Sequence, residues 1–352
     1  MNTKKRTFII LTPGFAANEA DSTCLPFLQT LLKNIREIYP KLNIIVLAFH
    51  YPFQKGSYKW RGTEVISFNG YRRNRFYKVL LWARIMNKLR MLHRTYDIIG
   101  LLSLWCSECA WIGKKFSQKN KLNHYCWLWG QDARPGNKYV KRIHPSKNEL
   151  IALSEFLQSE FEKNYLIRPS HIIPPGIDVC TFSKQPSKKS IDILGVGSLI
   201  PLKQYHIFIA IIGELKKTFP DIRAVLCGKG PEEKSLKIQC SQSGLKENIL
   251  FTGELHYPEI LQLMSQSKIL LHPSSYEGFS GVCQEALGAG AHIISFCRAM
   301  NHTISHWHIV RTKEEMILKA FEILNTPQTE FTPVLDYPIS QTSKTLMSLF
   351  GL

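Results

Sequence analysis

Short runs of β-branched and aliphatic residues alternate along this chain with longer stretches in which apolar side chains recur every three or four positions. The first series of runs is TFIILT (7–12), NIIVLAF (43–49), YDIIGLL (96–102), HYCWLWG (124–130) and ELIALS (149–154), with helical spacing between them, as in LPFLQTLLKNIREIY. A second series follows: IDILGVGS (191–198), IRAVLCG (222–228), NILFTG (248–253), KILLHP (268–273) and AHIISF (291–296). Apolar strands that alternate with helices predict parallel sheets covered on both faces, so two such series predict two doubly wound α/β domains. The break falls in RPSHIIPPGIDVCTFSKQPSKKS (168–190), whose prolines exclude an uninterrupted helix and which ends in a basic polar run. The expected organisation is a first domain over 1–170, a linker over 171–190, a second domain over 191–325 and a tail over 326–352 whose helix packs back on the first domain.

With 352 residues, 44% hydrophobic and 20% charged, the chain can bury ample core in two domains. No apolar run approaches the roughly 18 residues that a membrane span needs, and the start, MNTKKRTFIILTPGF, lacks a cleavage region. A cytoplasmic protein is expected. Nine cysteines at irregular spacings suit a reducing compartment better than a disulfide framework.

The net charge of +18 changes the picture because of where it lies: residues 1–170 hold 28 Lys and Arg against 11 Asp and Glu, while residues 171–352 hold 17 against 16. The first half is suited to something anionic, whether nucleic acid, anionic lipid or a phosphorylated acceptor; a solvated basic surface is the alternative. Within it, YRRNRFYK interleaves Arg72, Arg73, Arg75 and Lys78 with aromatics, a composition that can rest on anionic headgroups or grip a lipid diphosphate. The helical segment that follows puts Leu81, Trp82, Ile85, Met86, Leu89 and Leu92 on one face, expected to pack on the sheet, with Arg84, Lys88, Arg90 and Arg94 off it. Cys106 and Cys109 form a lone CxxC, expected to be a packing pair. The histidines of HTISHWH (302–308) have no nearby acid or cysteine to complete a familiar metal pattern.

In open α/β sheets, ligands bind beyond the carboxyl ends of strands, and the second series carries glycine-rich loops at those points: GVGSLIPLKQ, CGKGPEE, FTGELH and HPSSYEGFSGVCQEALGAG. The glycines of EGFSG let backbone N–H groups approach a ligand, and a helix beginning near Gly281 offers a positive dipole end, a combination suited to phosphate. Two carboxylates beside it, Glu277 and Glu285, are unsuited to phosphate but can each accept sugar hydroxyls. A nucleotide-sugar meets both requirements, with Lys203 as a cation for the diphosphate. Each glutamate taken alone also fits an ordinary surface position.

These loops, in this order and with PPGID and Phe182 ahead of them, resemble those of the group 1 (family 4) retaining glycosyltransferases. The resemblance implies the GT-B fold, two Rossmann-like doubly wound domains facing across a cleft, and sugar transfer from a nucleotide-sugar with retention and without a metal or other cofactor. It implies that Glu277 touches the transferred sugar and Glu285 the nucleotide ribose. The backbone of Gly278, Phe279, Ser280, Gly281 and Val282 would meet sugar hydroxyls and diphosphate, and Lys203 would bind phosphate. Gly197 and Ser198 fall in the first phosphate loop, and Gly228 and Gly230 in the Gly-x-Gly-Pro turn. Ser198 stands where the family has an arginine, and only Gly14 stands where it often has paired glycines after the first strand. In WLWGQDAR, Trp129 takes the place of the family's histidine while Asp132 matches, which groups Asp132 with Glu277 and Lys203 as candidate catalytic residues. Trp129 is either a stacking surface for a sugar or a core aromatic.

The expected function is transfer to a glycan or lipid-linked acceptor in surface polysaccharide or glycolipid synthesis, at the inner face of an anionic membrane. Two alternatives stand beside it. One is an inactive scaffold of the same fold, suggested by Ser198 and Trp129. The other is a nucleic-acid-binding protein, suggested by charge but accompanied by no nucleic-acid motif.

Overall fold

In the computed structural model, residues 4–71, 74–178, 180, 182 and 188–352 are described, apart from the side chain of Arg75. Arg72 and Arg73 of the expected basic cluster therefore lie outside the described residues. The chain divides into two units, Met1–Gly176 with Ile339–Leu352, and Ile177–Pro338.

The first unit is built on β1 (Arg6–Gly14), β2 (Asn43–Tyr51), β3 (Gly56–Trp60), β4 (Thr63–Ser67), β5 (Asp97–Leu104), β6 (His124–Leu128), β7 (Leu150–Ala152) and β8 (His171–Ile172), in the spatial order 3-4-2-1-5-6-7-8. Its helices are α1 (Pro26–Ile38), α2 (Arg75–Thr95), α3 (Glu108–Asn120), α4 (Lys138–Ile143) and α5 (Glu155–Tyr165). Every pairing is parallel except β3 with β4. That edge hairpin has no counterpart in the expected strands: its Arg61-Gly62 turn takes positive φ at both residues (44° and 77°), the geometry that joins twisted antiparallel strands. β1 is buried along nearly its whole length, which is why it reads as a continuous apolar run, and Leu81, Ile85, Leu89 and Leu92 of α2 pack into the core with it.

The second unit has six parallel strands, β9 (Ile191–Val196), β10 (Ala224–Cys227), β11 (Ile249–Gly253), β12 (Ser267–His272), β13 (His292–Ser295) and β14 (Trp307–Ile309), ordered 11-10-9-12-13-14. α6 (Tyr205–Lys216), α7 (Glu233–Gln242), α8 (Tyr257–Ser265), α9 (Gly281–Gly288) and α10 (Lys313–Asn325) connect them. The sheet order reverses between β9 and β12, the point where such folds hold ligands, and the loops after these two strands meet there, Ser275 N–H donating to the Leu202 carbonyl (3.0 Å). The last helix, α11 (Ile339–Ser348), belongs to the first unit: Thr342 Oγ1 donates to the Pro174 carbonyl (3.1 Å), and the Phe350 ring lies 4.7 Å from Phe8 and 5.1 Å from Tyr125. Among the described residues no helix is long and apolar enough to cross a membrane.

The loops after β9, β10 and β11 are joined backbone to backbone. Gly197 N–H donates to the Cys227 carbonyl (3.0 Å), Leu199 N–H to Lys229 (2.9 Å) and Gly228 N–H to Gly253 (2.8 Å). Gly228 is required there twice over: its φ is +142°, and a Cβ would fall 1.9 Å from the Gly197 carbonyl oxygen. Gly228→Ala should therefore destabilise the fold by about 2 to 4 kcal/mol, measured by urea unfolding, because both strain and a steric overlap must be relieved.

Candidate functional site

The site in the second unit is organised around a carboxylate. Glu277 lies in the loop after β12, half-buried, and its Oε1 accepts hydrogen bonds from two cation-capable groups: Lys203 Nζ, delivered by the turn Pro201–Lys203 after β9, and His272 Nε2 at 3.1 Å, from the last residue of β12. His272 is buried, and burial lowers its pKa; since a carboxylate can only accept, Nε2 carries the proton that it donates. Burial also pushes the Glu277 carboxyl up, but the His272 hydrogen bond and the Lys203 charge outweigh it and hold the group at about 2. Glu277 is therefore a permanently charged acceptor in a half-buried place.

Eight residues on, Glu285 is in the opposite condition. It lies on the second turn of α9 and accepts from the Tyr257 hydroxyl at the start of α8 (2.8 Å), yet burial dominates and raises its pKa to about 7. Between the two glutamates, Ser280 caps α9, its hydroxyl accepting from Cys283 N–H (3.3 Å). Gly281 opens the helix beside free space: a Cβ there would meet nothing within 4 Å. Phe279 has a second task, its buried ring lying 5.9 Å from Trp307 and 5.5 Å from Tyr337. Gly197, Gly228 and Gly230 fall in the joined loops, and Ser198 stands exposed at their tip. The loops thus bring together Lys203, Glu277 and the α9 N-terminus, as expected, and add His272 and Tyr257, which sequence reasoning missed. His272 was visible as the residue that closes a strand ahead of the glutamate loop; Tyr257 sits on a different element and carries no local signal.

The expected residues of the first unit are differently employed. The buried Asp132 carboxylate accepts from the backbone amides of Cys106 (2.8 Å), Trp129 (2.9 Å) and Gly130 (3.0 Å), and burial raises its pKa against them. In this structure the Asp132 side chain ties the ends of β5 and β6 together and positions the loop that carries Trp129. Gly14 packs rather than opening toward a ligand, since Tyr51 Cβ and Cys24 Sγ fill the room beside its Cα at 3.3 and 3.4 Å from a would-be Cβ. Trp129 is half-buried and stacked on Trp105 (5.2 Å between centroids, 29° between planes), with Phe27 at 5.0 Å, and its buried Nε1 has no partner among the described residues. Trp105 itself is held at φ +63°, costly for a bulky side chain. Lys78, expected on an outer basic surface, is half-buried, and its charge helps to lower the pKa of Glu108, whose carboxylate binds His50 Nε2 (2.5 Å) and Trp82 Nε1 (2.6 Å). Cys106 and Cys109 are buried free thiols, and His308 Nε2 meets His292 Nδ1 (3.0 Å); among the described residues no three potential metal ligands converge.

Residues 180–314 match the family model described as "Glycosyl transferases group 1". Over 203 residues the chain is 27% identical to the phosphatidylinositol N-acetylglucosaminyltransferase gpi3 subunit of Schizosaccharomyces pombe, covering 56% of this chain and 44% of that protein. Over 179 residues it is 26% identical to glycogen synthase of Mycobacterium tuberculosis, covering 49% and 43%. The chain thus spans less than half the length of these curated relatives. In structure it is similar to Anabaena HepE, crystallised with UDP and glucose (TM-score 0.71, 17% identity, 99% of each chain), and to a glycosyltransferase from Rickettsia africae (TM-score 0.74, 14% identity, 99% and 98%). These likenesses show the GT-B fold.

The two glutamates should leave opposite marks on stability. Glu277, depressed from 4.5 to about 2, contributes stability that is complete above its unfolded value and is lost as pH falls toward 2, on the order of 3 kcal/mol at most. Glu285, raised from 4.5 to about 7, holds its proton where the unfolded chain releases it, so stability declines as pH rises through that window. Urea unfolding over a pH series should show Glu277→Gln removing much of the acid-side loss and Glu285→Gln flattening the decline toward neutrality.

Proposed function

We propose, from the match of residues 180–314 to the group 1 glycosyltransferase model and from the GT-B fold, that the chain is a glycosyltransferase of that group and moves a sugar, with retention, from a nucleotide-sugar to a glycan or lipid-linked acceptor in surface polysaccharide or glycolipid synthesis. The observation that carries this reading is the paired state of the glutamates: one kept ionised beside a lysine and the N-terminus of α9, the other half-buried eight residues later. Arrival of a diphosphate would draw Lys203 from Glu277 to the phosphate oxygens, while His272 keeps Glu277 charged and aimed at sugar hydroxyls. The amides at the start of α9 would take the remaining phosphate charge, and Glu285 would accept from the ribose hydroxyls. As the bond from the anomeric carbon to diphosphate breaks, developing negative charge would meet donors already in position. The acceptor oxygen would bond that carbon on the same face and pass its proton to the departing phosphate oxygen, with no cofactor in the step.

On the acceptor side, the stacked ring of Trp129 is the candidate surface for a sugar face. The basic first half favours an acceptor presented at an anionic membrane, at its cytoplasmic face. HepE's UDP and glucose make UDP-sugars the first donors to test. The correct donor should raise the melting temperature, and its affinity should rise with pH through about 7 as Glu285 ionises. Glu285→Ala should weaken donor binding by about 1.5 to 3 kcal/mol and abolish that pH dependence. Absence of thermal protection by any nucleotide-sugar would contradict the proposal.

A further inference from the structure

α2 is apolar on two faces. The inner one is core: Leu81, Ile85 and Leu89 are fully buried. The outer one has no such explanation, because Phe76 is 85% exposed, Val79 59% and Leu80 55%, all within the first two turns. Just ahead of the helix, Phe53 and Tyr71 are also exposed, with their rings 5.2 Å apart. Farther along, the same outer stripe becomes cationic with exposed Arg84, Arg90 and Arg94, and the 21-residue helix carries six Lys and Arg and no Asp or Glu. The arrangement is held in place from beneath. Trp82 Nε1 donates to Glu108 on α3, and the same carboxylate binds His50 on β2, so the turns bearing Val79 and Leu80 are tied to two neighbouring elements.

Exposed rings and aliphatic chains beside cations of one sign fit one solvent well, the boundary between acyl chains and anionic headgroups. A second copy of the chain fits poorly, since a two-fold pairing of this face would set its unneutralised arginines against each other. We infer that the outer face of α2 is a membrane-docking surface: Phe76, Val79 and Leu80, with Phe53 and Tyr71, enter the interface of an anionic bilayer, and Arg84, Arg90 and Arg94 lie along its phosphates. This deepens the proposed function, resting on its membrane-presented acceptor, and it moves the contact from the YRRNRFYK cations to an apolar wedge that sequence spacing did not separate from the core stripe.

The test is co-sedimentation with vesicles containing phosphatidylglycerol and with pure phosphatidylcholine vesicles. Wild type should bind the former, less so as salt rises, and the latter weakly. The triple variant Phe76→Ser, Val79→Ser, Leu80→Ser should lose roughly tenfold or more of this binding. Arg84→Gln, Arg90→Gln, Arg94→Gln together should lose roughly a hundredfold at low ionic strength. Both should melt as wild type does, because the altered side chains are exposed. Leu318→Ser, an equally exposed site on α10, should bind as wild type. The inference is overturned if wild type ignores acidic vesicles, if the serine variant sediments like wild type, if Leu318→Ser loses binding as well, or if wild type elutes as a dimer that the serine variant breaks. Nucleotide-sugar protection from unfolding, measured in parallel, separates the two readings: its absence contradicts the transferase reading, whatever the vesicles show.

Discussion

The contact on which the site depends is the one that keeps a half-buried carboxylate charged. Taking Glu277 out of water favours its neutral acid, and the hydrogen bond from His272 and the charge of Lys203 outweigh that preference. These two groups come from opposite sides of the reversal in sheet order: Lys203 follows β9, and His272 ends β12. The parallel topology therefore does more than position a loop. It supplies the charge balance that lets the loop contain an ionised glutamate at all.

The same cluster gives the free protein an internal stand-in for a ligand. A lysine suited to a diphosphate is held by a carboxylate suited to a sugar, and in the proposed function arrival of the diphosphate would release both. The joined backbones of the loops after β9, β10 and β11 keep the lysine's turn in place, with Gly228 permitting the close approach. The N-terminus of α9 completes the arrangement: Ser280 satisfies one early N–H, and Gly281 keeps the approach to the others clear.

Much of this was legible in the sequence because it is local. The ten expected strands are all present, since nearly all are runs of apolar residues buried in a parallel sheet, β11 at the sheet edge being the most exposed, and the spacing of Glu277, Gly281 and Glu285 lies within one loop and helix. What escaped was non-local or two-valued. β3 and β4 form a short hairpin, β3 at the sheet edge, joined by an Arg-Gly turn, a weak hairpin signal. Tyr257 reaches Glu285 from another helix, and Asp132 uses its charge on backbone amides that no pattern reveals. On α2 the periodic stripe identified the core face, but Phe76, Val79 and Leu80 on the other face needed exposure, not spacing, to be recognised as something else.

Whether Lys203 is shared between Glu277 and a diphosphate is decided by calorimetric titration of UDP against wild type, Glu277→Gln, Lys203→Gln and the double variant. If the lysine is shared, Glu277→Gln frees it and binds UDP at least as tightly as wild type. Lys203→Gln then binds UDP more weakly, and the double variant resembles Lys203→Gln. Equal losses of UDP affinity in the two single variants would contradict the account, because Glu277 would then be holding the diphosphate site together rather than competing for its lysine.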